Sequence, residues 1–251
     1  MHWLRAFLLL PMLSTAADCG EISLLGWNGN MGRRDVGDIA ESVHDLYAIV
    51  DVRVSAIEAF VSTAKRENVH LQDRFEFLGE AGGLFMWNPR RLGAIEIIPP
   101  DNSRERFSLM FEDRESGARF WVVLVDFDRR QEVSRQSVEK LQEWVTQQDL
   151  PVLVVGTFGF EVDLNHFDQN PDSQPAQLAY SEMTCAGLQW VRPGRLAGLP
   201  AVVESLDYIA FASEQFRSWN ANASLARLTA DHPPVVVTFN TSGPVERTEG
   251  Q

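Results

Sequence analysis

The apolar residues of this chain come in short runs, each closed by turn chemistry, and that arrangement limits what it can fold into. Ile22 to Trp27 is such a run, ended by Asn28-Gly29-Asn30, which reads as a strand followed by a turn. Ile39, Val43 and Leu46 recur at helical spacing, predicting an amphipathic helix over Asp35 to Asp45 that leads into a second buried strand, Tyr47 to Val52. Ser55 with Glu58 makes a capping box, and Ile57, Phe60, Val61 and Ala64 give the following helix its apolar face. Leu84 to Trp87 and Ile95 to Ile98 read as the strands of a hairpin, with Asn88-Pro89 and Gly93 between them. Phe107 to Phe111 and Arg119 to Asp126 read as a second hairpin around Glu115-Ser116-Gly117. Val133, Val138, Leu141, Trp144 and Val145 mark another helix, and Pro151 to Val155 is a continuous apolar strand of the kind found in the middle of a sheet. Glu161 to Pro200 is polar and punctuated by Pro and Gly, without a clear period, and reads as loops with room for one short helix. Strands return at Ser205 to Phe211 and Val235 to Phe239. Hairpins mixed with strand-helix units imply an α+β layered sandwich, in which mixed sheets are covered by helices.

The ends of the chain are read by composition. Arg5 precedes the apolar run Ala6 to Leu13, and Ser14-Thr15-Ala16-Ala17 offers the small residues a signal peptidase reads, so residues 1–17 are expected to be an export signal. The alternative for this stretch is a buried N-terminal helix. The run is too short to span a bilayer, and the mature protein is expected to be soluble and exported, periplasmic or secreted. Asp18 stands where a lipoprotein signal needs a small residue, which argues against a lipid anchor at Cys19. Residues 18–241 then form one domain, and Ser242 to Gln251 reads as a disordered tail. Cys19 and Cys185 are the only cysteines; in an oxidising compartment they could pair, for about 4 to 5 kcal/mol on the loop-entropy view, and the spacing leaves a disulfide and two free thiols both open. A net charge of -13 attracts cations and repels polyanions, so sequence-independent coating of nucleic acid is not expected, while a local basic groove or a metal-bridged phosphate contact is still allowed.

Four strand ends carry polar residues that packing does not ask for. Asn28 follows the first strand, where turn formation alone would explain it. Asp51 lies within Ala48-Ile49-Val50-Asp51-Val52, and an acid in so apolar a strand must be paired, exposed on one face or bound to a cation. Asp207 lies in Leu206-Asp207-Tyr208-Ile209. Asp231 and His232 stand side by side before the last strand, in a stretch that a loop ahead of an edge strand would also explain.

Taken in order, these features resemble the endonuclease/exonuclease/phosphatase superfamily, the deoxyribonuclease I-like fold. The shared pattern is Trp-Asn after the first strand, an acid closing the second, a Pro-Val-apolar-Gly-x-Phe strand, Leu-Asp-Tyr-Ile, and a terminal Asp-His-x-Pro-Val, from about Glu21 to Phe239. The resemblance implies a four-layer α/β/β/α sandwich: two mixed, mainly antiparallel sheets packed face to face between outer helices. It implies phosphoester hydrolysis supported by Mg2+ or Mn2+, a hard cation held by carboxylate and amide oxygens. By position, Asn28, Asp51 and Asp231 match metal-site residues, with Asp51 in place of the family Glu and Val50 in place of its neighbouring Gln. His232 matches the phosphate-contacting histidine, and Asp207 the acid that orients it through the other ring nitrogen. The partner implied is a phosphoester substrate or a phosphorylated ligand.

The other half of the pattern is altered. Where the family has Gly-Asp-Phe-Asn, this chain has Gly156-Thr157-Phe158-Gly159, so the water-orienting Asp has become a neutral hydroxyl and the phosphate-binding Asn has lost its side chain. In Val123-Leu124-Val125-Asp126-Phe127, Asp126 takes the place of a histidine and Leu124 that of an asparagine. Two expectations follow: a pseudoenzyme that binds a partner, a metal or a phosphorylated ligand, or an active phosphodiesterase or nuclease with a rebuilt site in which Asp126, or Glu161 or Asp163, supplies the missing carboxylate. A strand end is the most rigid platform, which favours Asp126 among the three.

Other signals have plainer explanations. Asn222-Ala223-Ser224 and Asn240-Thr241-Ser242 satisfy a glycosylation pattern that arises often by chance. His44, His70 and His166 show no metal spacing and read as surface or helix-end residues. The tryptophans read as core. Arg33-Arg34, Arg90-Arg91 and Arg129-Arg130 read as solvated charge at element ends.

Overall fold

The computed structural model describes residues 21–28, 43–67, 70–78, 81–98, 106–126, 135–157, 188–191, 207–212, 221–225 and 234–241. The first of two six-stranded sheets contains β1 (Ile22–Asn28), β2 (Leu46–Arg53), β3 (Gln72–Leu78), β4 (Ala81–Trp87), β11 (Ala221–Leu225) and β12 (Val235–Phe239), in the order β11-β12-β1-β2-β4-β3. The second contains β5 (Leu92–Ile98), β6 (Arg106–Asp113), β7 (Arg119–Asp126), β8 (Val152–Thr157), β9 (Leu188–Val191) and β10 (Asp207–Ala212), in the order β5-β6-β7-β8-β10-β9. Each sheet has one parallel pair at its centre, β1 with β2 and β7 with β8, and antiparallel pairs on either side. Helix α1 (Val54–Glu67) follows β2, and α2 (Arg135–Thr146) crosses from β7 to the parallel β8.

The period of two in each strand builds the layers. In β1 and β2, Ile22, Leu24, Leu46, Ala48 and Val50 face the second sheet, while Leu25, Trp27, Tyr47 and Ile49 lie under α1 with Phe60 and Ala64. Trp27 and Tyr47 stand 6.5 Å and 6.3 Å from the Phe60 ring. Between the sheets, Phe85 and Trp87 of β4 meet Phe107 and Phe111 of β6, with ring centroids 5.0 to 6.0 Å apart. On the far side, Trp144 of α2 stands edge-on to Trp121 of β7 at 5.6 Å. Each fully buried ring of this kind contributes about 1.5 to 3 kcal/mol. The result is the four-layer α/β/β/α sandwich expected, and no described helix is long and apolar enough to cross a membrane.

Several expectations are corrected. Leu84 to Trp87 and Ile95 to Ile98 do not form a hairpin: β4 and β5 belong to different sheets. Asn88 accepts the backbone N–H groups of Arg91 at 3.0 Å and Leu92 at 2.8 Å, and this turn sends the chain across the sandwich. The partner of β4 within its hairpin is β3, a strand the sequence reading passes over, with Leu78 opposite Ala81. The first predicted helix does not reach Asp45: residues 43–45 are irregular because Asp45 bonds to Ser23 of β1, and residues 35–42 lie outside the described residues. Helix α1 begins at Val54, so Ser55 lies within its first turn rather than before it. β9 falls within the stretch read as loops, and β11 carries Asn222 and Ser224 on an edge strand. Residues 1–20, Cys185, His166, Arg33-Arg34, Arg129-Arg130 and residues 242–251 lie outside the described residues.

Arg91 is not solvated charge. It is buried, with its Nε 3.0 Å from Asp113 Oδ1 and its Nη2 donating to Asp113 Oδ2 at 3.2 Å. Asp113, fully buried, also accepts from the Ser116 hydroxyl at 2.6 Å, the Glu115 N–H at 3.1 Å and the Thr241 hydroxyl. Thr241 follows β12 in one sheet and Asp113 ends β6 in the other, so this cluster ties the two sheets together.

Candidate functional site

Two contacts show which ends of the sheets coincide. Phe239, paired with Ile22 at the start of β1, stands edge-on to Phe120 near the start of β7, at 5.6 Å. At the opposite end Gly83, beside the end of β2, lies against the end of β7: a Cβ there would come 3.0 Å from Leu124 Cδ1 and 3.3 Å from Phe107 Cδ1. The carboxyl ends of β1, β2, β7 and β8 and the first residues of β10 and β12 therefore meet at one pole of the sandwich.

Asn28 is the last residue of β1, buried, and shares the strand parity of Ile22 and Leu24, which face the second sheet. Across the parallel ladder it pairs with Val50, the residue before Asp51. Asp51 sits in a bulge. The β2–β4 register runs regularly to Ile49 opposite Leu84 and resumes at Val52 opposite Gly82, so Val50 and Asp51 together face Gly83. The side chains record the extra residue: Val50 faces the second sheet, whereas Val52 joins Ile49 under α1. Asp51 is half-buried and, with φ of 52°, is the one non-glycine among the described residues in the left-handed region. Asp tolerates that conformation better than most residues, and it still costs of order 1 to 3 kcal/mol.

The second sheet contributes a row. Asp126 at the end of β7 is the register partner of Thr157 at the end of β8, and Thr157 is the partner of Asp207 at the start of β10. The backbones of three neighbouring strands thus bring Asp126, Thr157 and Asp207 level with one another, about 4.8 Å apart from strand to strand. Gly156 makes the approach of β8 to β7 feasible. With φ of 139°, a Cβ at this position would come 2.0 Å from the Val125 carbonyl oxygen. Asp231, His232 and Gly159 lie outside the described residues, as do Glu161 and Asp163. β12, which begins just after Asp231-His232-Pro233-Pro234, starts at the same pole, with Val235 opposite Gly26.

The structure thus brings together the ends of the strands that carry Asn28, Asp51, Asp126, Thr157 and Asp207. Asn28 and Asp51 offer an amide and a carboxylate oxygen, hard donors suited to Mg2+ or Mn2+ rather than to a thiophilic metal. Among the described residues no group of three or more His, Cys, Asp or Glu side chains could hold a metal ion. Sequence reading does not find the bulge at Asp51 or the close approaches at Gly83 and Gly156. The available signal is glycine inside an apolar strand, in Ala81-Gly82-Gly83-Leu84 and Val155-Gly156, which marks bulges and tight backbone contacts. His70 is exposed as expected, and Trp27, Trp87 and Trp121 are core. His44 is instead partly buried.

No protein-family model matches the chain, and no curated protein matches it. Solved structures do. The chain is similar to an endonuclease/exonuclease/phosphatase family protein from Bacteroides thetaiotaomicron, with a TM-score of 0.65 and 11% identity over 88% of this chain and 97% of that one. The endonuclease domain of a telomere-specific non-LTR retrotransposon gives a TM-score of 0.67 at 9% identity, over 89% of this chain and all of that one. A mannosyl-6-phosphatase from Bacteroides thetaiotaomicron gives 0.59 at 12% identity, over 87% and 99% of the two chains. The fold is therefore the deoxyribonuclease I-like sandwich shared by endonuclease/exonuclease/phosphatase proteins.

Proposed function

We propose that this chain, which has the endonuclease/exonuclease/phosphatase fold, is an exported, divergent member of that superfamily. Its ancestral reaction is divalent-metal-dependent phosphoester hydrolysis, and turnover here is lost or severely impaired. One observation carries this reading: at the pole where β1 ends at Asn28 and β2 bulges at Asp51, the centre of the Asp126–Thr157–Asp207 row is a neutral hydroxyl residue. Asn28, Asp51 and Asp231 would hold Mg2+ or Mn2+, which when bound would draw charge from a phosphate oxygen. His232 would contact the phosphate, and Asp207 would fix its ring through the other nitrogen. Thr157 cannot take a proton from water at neutral pH, and Gly159 offers no side-chain donor to the phosphate. Each loss removes about 10² to 10⁴ in rate while leaving binding in place. The protein then acts as a receptor for a phosphorylated ligand. Its export is supported by Arg5, the apolar run Ala6 to Leu13 and the small residues Ser14 to Ala17.

A second reading is favoured by the register of β7: Asp126 is level with Thr157 one strand away, where a carboxylate could take over as base in an active phosphodiesterase or nuclease. Purified protein incubated with Mg2+ or Mn2+ and plasmid DNA, a generic phosphodiester or a sugar phosphate separates the two. The expected result is no hydrolysis, together with a rise in melting temperature on adding divalent ion and phosphate. Hydrolysis abolished by both His232→Ala and Asp126→Asn establishes the second reading. No thermal shift with any divalent ion removes the metal site from both.

A further inference from the structure

The segment ahead of β2 is tied down at the pole opposite Asn28 and Asp51. The Asp45 carboxylate accepts the Ser23 backbone N–H at 3.0 Å and the Ser23 hydroxyl at 3.2 Å, and the Asp45 N–H donates to the Ser23 carbonyl at 3.1 Å. The Asp45 carbonyl accepts the Asn88 N–H at 2.9 Å, just beyond β4. The His44 N–H donates to the Tyr47 phenol oxygen at 3.0 Å. The His44 ring stands edge-on to Tyr47 at 5.5 Å, and Tyr47 stands edge-on to Phe60 of α1 at 6.3 Å. The imidazole Nδ1 is buried with no hydrogen-bond partner among the described residues.

We propose that this seat is a pH-sensitive latch: neutral His44 fits it and holds the lead-in to β2 against β1 and β4, and protonation of His44 releases that segment. The neutral ring loses little by facing aromatic edges. An imidazolium in the same seat would carry a charge into a partly buried place and present an N–H at Nδ1 that no described group receives. Among the described residues, the ionisable groups acting on the ring are Asp45 of its own segment and Tyr47 of β2; the Ser23 hydroxyl of β1 and the Asn88 N–H beyond β4 meet Asp45, and the Phe60 ring of α1 meets Tyr47. Asp45 attracts a proton to the ring, but its carboxylate is already engaged by Ser23, and burial is the larger effect: it holds His44 below its ordinary 6.5. Because the folded-state value is the lower one, the latch is fully closed above 6.5 and weakens as pH falls through 6.5 toward that value.

Hydrogen exchange on the full chain, corrected for intrinsic rates, tests this between about pH 7.5 and about pH 5. Opening at the His44, Asp45 and Asn88 amides is expected to increase as pH falls below 6.5, while Ala48 and Ile49 stay protected. In His44→Phe the pH dependence disappears. Equal protection at both pH values overturns the latch, as does an unchanged dependence in His44→Phe. Should that variant fail to fold, the His44 ring titration in the wild type decides: an apparent pKa below 6.5 supports the latch, and one at or above 6.5 overturns it.

Discussion

Replacing Thr157 by Asp together with Gly159 by Asn is expected to raise phosphoester hydrolysis by about 10² to 10⁴ over the wild type in the presence of Mg2+ or Mn2+. Thr157 is the register partner of both Asp126 and Asp207, so the new carboxylate enters a position that the sheet already holds rigidly. Groups that act as a unit do not add, and the pair is expected to exceed either single change without matching the product of the two. Three acids level on neighbouring strands also repel one another, so without a divalent ion the double variant should melt below the wild type, and with the ion it should recover. His232→Ala in the same background should return activity to the starting level. A double variant that remains inert while wild type hydrolyses through Asp126 would reverse the assignment of Thr157 as the lesion.

Asp113→Ala is expected to lower the free energy of unfolding by about 3 to 5 kcal/mol, read as a fall in the denaturant midpoint with little change in slope. The loss is large because Arg91 stays behind as a buried guanidinium without the buried carboxylate it faces, and its contact to Glu115 is to a side chain that is 54% exposed. The Ser116 and Thr241 hydroxyls lose their shared acceptor at the same time. Asp113→Asn keeps the shape and part of the hydrogen bonding and should lose less. Because this cluster lies at the pole opposite Asn28 and Asp51, any ligand binding measured on folded Asp113→Asn protein should match wild type.

What could be read from the sequence was what period and punctuation encode locally. Ile22–Asn28, the β6–β7 hairpin around Gly117, and the central apolar strand ending at Thr157 follow from alternation, turn residues and length. What escaped was non-local. Leu84–Trp87 and Ile95–Ile98 look like partners because they are neighbours in sequence, and nothing in either strand says that the turn at Asn88 carries the chain to the other sheet. Arg91 reads as a surface charge until Asp113 arrives from 22 residues away. That the strand ends carrying Asn28, Asp51, Thr157 and Asp207 deserve notice was legible from polar residues in apolar runs. The bulge that singles out Asp51 was not, since it arises from the count of residues between Ile49 and Val52 against β4.

Titration of the protein with Mn2+, followed by paramagnetic broadening of assigned backbone amides, tests most directly whether the shared pole is a cation site. The amides of Asn28, Asp51, Thr157 and Asp207 should broaden together at low Mn2+, those of Asp113 and Asp45 at the other pole should not, and Asp51→Ala should abolish the effect. Broadening centred on another part of the molecule, or an unchanged pattern in Asp51→Ala, would show that these strand ends do not bind the ion.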